Sequence, residues 1–344
     1  MSVYSIKDLS VMQAWPLERK IQVTQTRILE WYEHYGGAVY ASFSGGLDST
    51  VALDLARRVH PDIEAVFVNS SNEFPENIRF VRSFNNVREI TPEMNYTEVV
   101  KKYGYPVISK EQADFIHRMQ TIPGCKELYL NRIQERPKEW LMQNYGAIPF
   151  PFFKCMFGLT KKQAPRFVEF GELPKSRYCI SKKWQYLINA PFSIDSVCCR
   201  ILKKRPLRRY EKQSGKHAII GTTAEDSLLR KQAWLKNGCN AFEAATPKST
   251  PMSFWTRQDT LRYLQLTGIP YSEIYGDIKT DTDGRLYTTE AQHSGCMGCM
   301  FGIHMEESPN RLQQLKVTHP KVYRYLFDKL DYAAVCDYVG IAYE

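Results

Sequence analysis

Ala38-Val39-Tyr40-Ala41-Ser42-Phe43-Ser44-Gly45-Gly46-Leu47-Asp48-Ser49 is the stretch on which the fold turns. Its first six residues form a β-prone, largely apolar run. Ser44-Gly45-Gly46 interrupts it, after which Ala52, Leu55, Ala56 and Val59 recur at helical spacing. The order is strand, glycine-rich loop, helix. Such a loop presents backbone N–H groups and the positive end of a helix dipole, and its glycines let an anion approach the main chain closely. Ser44 and Ser49 add hydroxyl donors. Asp48 suits a phosphate site only as a residue that orients donors or holds Mg²⁺. The Gly-Lys-Ser/Thr of a Walker loop is absent, and an ordinary strand-to-helix turn is the competing reading.

Upstream, Leu17, Ile21, Ile28, Tyr32 and Tyr35 fall on one helical face, with Pro16 at the start and Gly36-Gly37 as a stop. Downstream, Ile63 to Val68 reads as a second buried strand, Pro75 to Phe84 as a helix opened by proline, and Val87 to Ile90 as a third strand. This alternation predicts an α/β fold with a parallel sheet covered by helices. Residues 105–190, rich in proline, aromatic and basic residues, break the alternation and read as a helical insert or lid. It resumes with a strand at His217–Gly221. Thr256 and Asp259 are spaced as a capping box for a helix ending at Gly268, and Ser308-Pro309 predicts the start of a helix that His319-Pro320 ends.

At 344 residues, 43% hydrophobic and 24% charged, the chain is neither a disordered tail nor a collagen nor a coiled coil, and its length suits two domains or one with a large insert. The N-terminal residues lack the apolar core of a secretory signal, and Leu141–Phe153, broken by Pro149 and Pro151, is too short to span a bilayer. A cytoplasmic protein without membrane contact is expected. Lys154 to Lys216 holds 16 Lys or Arg against four acids, while the whole chain is +9. The remainder is therefore slightly acidic. The densest part, Arg200 to Lys216, suits an anionic partner such as a nucleic acid, or else is a solvated basic helix.

The nine cysteines are an odd number in a chain without a signal, which makes metal, catalytic and buried roles more natural than disulfides. Cys198-Cys199 and Cys296-Met297-Gly298-Cys299 supply two pairs. Together they could complete a four-sulfur site for zinc or an iron–sulfur cluster, although vicinal cysteines fit zinc spacing poorly. Cys239 is a reserve ligand, a sulfur-carrying thiol or a buried inert residue. Cys125, Cys155, Cys179 and Cys336 read as packing residues, and His293 and His304 are assigned no role.

Ser42-Phe43-Ser44-Gly45-Gly46-Leu47-Asp48-Ser49 resembles the PP-loop of the adenine nucleotide α-hydrolase superfamily, and later segments resemble its phosphoadenylylsulfate (PAPS) reductase branch. Val68-Asn69-Ser70-Ser71-Asn72-Glu73-Phe74-Pro75-Glu76 is similar to that branch's second-strand motif. Cys198 to Leu207 is similar to its vicinal-cysteine segment. Gly221 through Ser227 to Arg230, Trp255 with Asp259, and Gly295 to Cys299 follow in the family's order. The resemblance spans roughly 38 to 303, outside the insert, and the joint occurrence of these motifs is specific.

The resemblance implies a Rossmann-like sheet and an adenine nucleotide held around Ser42, Phe43, Ser44, Gly45, Gly46, Asp48, Ser49, Asn69, Gly221 and Arg230. It also implies a [4Fe–4S] cluster on Cys198, Cys199, Cys296 and Cys299. Two departures set this chain apart. The family's sulfonucleotide reductases end in a Glu-Cys-Gly motif whose cysteine takes the sulfite group, whereas Cys336 here lies in Val335-Cys336-Asp337-Tyr338. Thr222-Thr223 stands where they carry an arginine for the sulfated phosphate. What remains is similar to ATP-using sulfurtransferase relatives, including those of DNA phosphorothioation and of phages and mobile elements. The expectation is an ATP pyrophosphatase with Mg²⁺, in which Ser44, Asp48 and Ser49 act on ATP to activate an acceptor for sulfur transfer. A cysteine desulfurase or modification-complex subunits are the partners implied. Sulfonucleotide reduction and nucleic-acid binding with a structural cluster are the alternatives. The chain then divides into 1–104 (N-terminal helix and PP-loop half), 105–190 (insert), 191–305 (second half with the cysteine site) and 306–344 (helical tail).

Overall fold

The computed structural model describes residues 3–174 and 178–344; Met1, Ser2 and the Lys175–Arg177 part of the basic stretch lie outside the described residues. Ten strands are present among the described residues. They are β1 (Val39–Ser42), β2 (Glu64–Val68), β3 (Val87–Ile90), β4 (Val107–Ile108), β5 (His217–Ile220), β6 (Asn240–Ala241), β7 (Lys248–Ser249), β8 (Ile278–Thr280), β9 (Leu286–Thr288) and β10 (Met300–Phe301). The chain separates into two units: residues 1–93 with 202–296, and residues 94–201 with 297–344.

The first unit holds a six-stranded sheet in the order β3-β2-β1-β5-β7-β6, parallel throughout except for β6 against β7. β1 lies at the centre, with Ser42 opposite Val66 of β2 on one side and Ile220 of β5 on the other. The side chains alternate between two cores, as the period of a strand requires. Val39, Ala41, Phe43, Ala65, Phe67 and Ile219 pack on one face with Ile28, Trp31, Val51, Leu55 and Leu261 from the helices Leu17–His34, Leu47–Val59 and Arg257–Thr267. Tyr40, Val66 and Ala218 pack on the other with Tyr210 of the helix Arg205–Ser214. Both faces are covered, so the expected α/β fold is present, and its strand order is Rossmann-like. In such sheets ligands bind beyond the carboxyl ends of the strands where the order reverses, here between β1 and β5.

Helix ends follow local chemistry. The helix Arg257–Thr267 has the expected Thr256–Asp259 capping box and stops at left-handed Gly268. The helix expected after Ser308-Pro309 begins later, at Arg311. Asn310 accepts from the Leu312 and Gln313 amides, while Gln313 returns a bond to the Asn310 N–H. Pro320 ends that helix and opens another, Pro320–Leu330, since proline is tolerated where a first-turn N–H needs no acceptor.

The second unit is mainly helical, with Tyr96–Tyr103, Lys110–Thr121 and Phe150–Phe157 among its helices and Phe152, Phe153 and Phe167 fully buried. β10 pairs in parallel with β4, so the residues directly after Cys299 run beside Val107–Ile108. Among the described residues no helix is long and apolar enough to cross a membrane.

Candidate functional site

The loop after β1 is tied by hydroxyls. Ser49 Oγ donates to the Gly46 carbonyl at 2.8 Å and accepts from the Ser44 N–H at 3.2 Å, and Thr50 Oγ1 donates to the same carbonyl at 3.0 Å. Ser44 is exposed, with its Oγ 3.1 Å from that of Ser49. Gly45, at φ +75°, takes the left-handed conformation that glycine alone adopts without cost. The helix begins at Leu47, so its first-turn amides, which have no intrahelical acceptor, rise directly from this loop. On the other side of the sheet's reversal point, Gly221 follows β5. A Cβ there would meet the Asp48 carbonyl oxygen at 2.5 Å and Ala52 Cβ at 2.8 Å, so Gly221 lets the segment after β5 pack closely against the first turns of the helix Leu47–Val59.

Asp48 accepts from Thr260 Oγ1 at 2.7 Å. Burial pushes its carboxyl above the usual range; the Thr260 bond opposes this, nearby Asp226 adds to it, and the Arg257 and His293 charges pull it back down. The acid is thus a buried carboxyl tied to Thr260 at the foot of the loop, with Arg257 and His293 nearby. Tyr275 Oη donates to Ser294 Oγ at 2.5 Å, and both hydroxyls border Gly46.

Composition could not reveal a second polar chain in this unit. Ser70 Oγ donates at 2.6 Å to the buried Glu73 carboxylate, which pairs with Lys203 Nζ at 2.7 Å. Burial pulls the Lys203 ammonium's pKa down, but Cys296 and then Glu73 more than offset this and raise it. Lys203 is therefore a cation placed beside both Glu73 and Cys296. In the sequence it reads only as part of the basic stretch. Lys216 pairs with the largely buried Glu64, and Arg209 pairs with Glu93 at the surface, so several charges of 200–216 already have partners within the chain. Arg205, Arg208 and Lys212 stay exposed on one face of their helix, without an ion pair among the described residues.

Of the proposed ligands, Cys198, Cys199 and Cys299 belong to the second unit and Cys296 ends the first. Burial raises the Cys299 thiol, the Phe301 N–H and the Arg311 charge lower it, and Cys199 raises it again. Gly298 is walled in: a Cβ would meet Tyr96 Cε1 at 2.7 Å, and its carbonyl accepts from Tyr96 and Tyr332, whose phenols burial holds far above their ordinary pKa. Among the described residues no three His, Cys, Asp or Glu groups could hold a single metal ion. A cluster makes a different demand, for soft thiolates each bound to its own iron, and this donor set has that chemistry.

The other expected residues are placed as follows. Phe43 is buried in the core against Phe80 and Phe84. Ser42 ends β1. Asn69 Nδ2 donates to Glu89 at 2.8 Å, and Arg230 pairs with Asp226. Cys239 lines an 830 Å³ cavity with Trp15, Arg27, Trp234 and Phe242; burial pushes its thiol up to about 11 despite the Trp234 indole. Cys336 is fully buried and its thiol is pushed up to about 12.

An uncharacterized protein of Methanocaldococcus jannaschii is 32% identical over 94 residues, 26% of this chain and 23% of that one, so the match spans less than a quarter of that relative. The adenosine 5′-phosphosulfate reductase of Lysinibacillus sphaericus is 23% identical over 250 residues, 72% of each chain. A crystal structure of phosphoadenylyl-sulfate (PAPS) reductase from Candida auris, a phosphate complex, aligns with 83% of this chain and 100% of its own at 13% identity and a TM-score of 0.38. The phosphoadenosine phosphosulfate reductase domain matches residues 38–129 and 174–299, well over half of the sequence, and the chain belongs to that family.

Proposed function

We propose that this protein is an ATP pyrophosphatase that activates an acceptor for sulfur transfer. Ser44, Gly45, Gly46 and Ser49 hold the phosphates at the helix N-terminus. Asp48, pinned by Thr260, orients the loop and the neighbouring Arg257, or carries Mg²⁺. Attack on the α phosphorus releases pyrophosphate, and catalysis is chiefly electrostatic positioning. Cys198, Cys199, Cys296 and Cys299 are the residues that would hold the cluster, with Lys203 balancing the charge of Cys296. When bound, it supplies electron or sulfur chemistry. The exposed face of Arg205, Arg208 and Lys212 favours a nucleic-acid acceptor.

The observation that carries this reading is Cys336. A sulfonucleotide reductase needs a thiolate to take up sulfite, and a fully buried thiol pushed up to about 12 does not supply one. The second reading, reduction of a sulfonucleotide with external thiols, is favoured by the name of the Lysinibacillus relative.

The test is to incubate the full chain with α-labelled ATP, with and without tRNA or duplex DNA, and to measure AMP and pyrophosphate. Asp48→Ala is expected to lower turnover by roughly 100-fold or more, and an undiminished rate would sink the assignment. Sulfite released from adenosine 5′-phosphosulfate, with no ATP cleavage, selects the second reading.

A further inference from the structure

The helix Pro75–Arg82 runs directly beside the phosphate loop, and Asn77 in its first turn is packed against Gly45. A Cβ on Gly45 would lie 3.1 Å from Val81 Cγ2, 3.3 Å from the Asn77 carbonyl oxygen and 3.4 Å from Asn77 Cβ. Asn77 is 0% exposed, and neither its Nδ2 nor its Oδ1 has a hydrogen-bond partner among the described residues. A buried carboxamide left without donor and acceptor partners is costly, and a leucine of similar size would fill the same space without that cost. Ser49 and Thr50 tie the loop at Ser44 and Gly46, while Gly45, whose φ is +75°, sits between those ties and against Asn77.

We propose that Asn77 is a positioning residue of the phosphate loop: when a nucleotide's phosphate draws the Gly45 peptide into its bound shape, the Asn77 carboxamide hydrogen-bonds that peptide and holds it there. The inference rests on the reading of this loop as the phosphate site. The unmet hydrogen bonds belong to the free protein, and binding completes them, so removing the amide penalises the bound state alone.

The experiment uses the full chain, with ATP, adenosine 5′-phosphosulfate and adenosine titrated calorimetrically into the wild type, Asn77→Leu and Asn77→Ser. Without ligand, Asn77→Leu is expected to melt at or above the wild-type temperature, because both orphaned atoms are gone. It should bind both nucleotides at least tenfold more weakly while adenosine, which has no phosphate, binds as before. Asn77→Ser, with one hydroxyl, should be intermediate. Affinities of Asn77→Leu within twofold of wild type overturn the inference, since Asn77 is then served equally in both states. Should Asn77→Leu fail to fold, Asn77→Ser decides by the same comparison. A wild type that binds neither nucleotide overturns the phosphate-loop reading, and this inference with it.

Discussion

Gly298 shows how one residue type can be legible while its reason is not. In Cys296-Met297-Gly298-Cys299 the glycine reads as part of a cysteine knuckle. What excludes a side chain there is the pair of buried phenols from Tyr96 and Tyr332, which are distant in the chain. Gly298→Ala is therefore expected to destabilise the fold by about 1–3 kcal/mol, the usual cost of overpacking. Gly295→Ala, with nothing within 4 Å of its Cβ, should be neutral. Denaturant unfolding of both variants checks this. Ser44, Gly45 and Ser49 were readable because a strand-loop-helix boundary is local. Asn77, Thr260 and Lys203 were not, because a lone amide, hydroxyl or ammonium acquires its role only from the atoms that surround it after folding.

At the scale of elements, the helix Arg205–Ser214 is held on the sheet by more than its apolar side. Glu64 of β2 accepts from Lys216 at 2.6 Å, Tyr210 at 2.5 Å and Arg88 at 2.6 Å. Burial raises the Glu64 carboxyl, but those three donors outweigh it and hold the pKa at about 2, below the ordinary 4.5. A carboxylate depressed in the folded state contributes stability above its unfolded pKa and loses it as the pH falls. The loss here runs from about pH 4.5 down to about pH 2. Glu64→Gln should be less stable than wild type at neutral pH and converge on it across that window, as read by thermal melting at stepped pH; partial solvent screening keeps the difference modest. The basic run was visible in the sequence, but not its division into charges spent on Glu64, Glu73 and Glu93 and charges left outward on one helical face.

Across the first unit, one buried ion pair joins the helix Leu17–His34 to the helix Arg257–Thr267, more than 200 residues away. Lys20 is almost fully buried, donating at 2.6 Å to Asp259 and at 2.7 Å to the Gln13 carbonyl, and Asp259 also accepts from the Thr256 N–H and hydroxyl. Asp259→Ala leaves an uncompensated buried ammonium and is expected to cost about 3–5 kcal/mol. Lys20→Met should cost less, because Asp259 keeps its Thr256 partners. Equilibrium urea unfolding checks the order. In sequence, Asp259 looked like a capping residue and a family marker; the capping was legible and the ion pair was not. The same division runs through the molecule. Hydrophobic period, glycine and proline placement and helix caps act within a few residues, so the sequence by itself determined the strand-loop-helix at 38–59, the parallel α/β fold and the cysteine pairs. Tertiary structure alone decided which polar groups lost water together. That choice left Asn77 unpaired beneath Gly45, set Lys203 between Glu73 and Cys296, and sealed Cys336 away from chemistry, because burial and pairing depend on residues far apart in the chain.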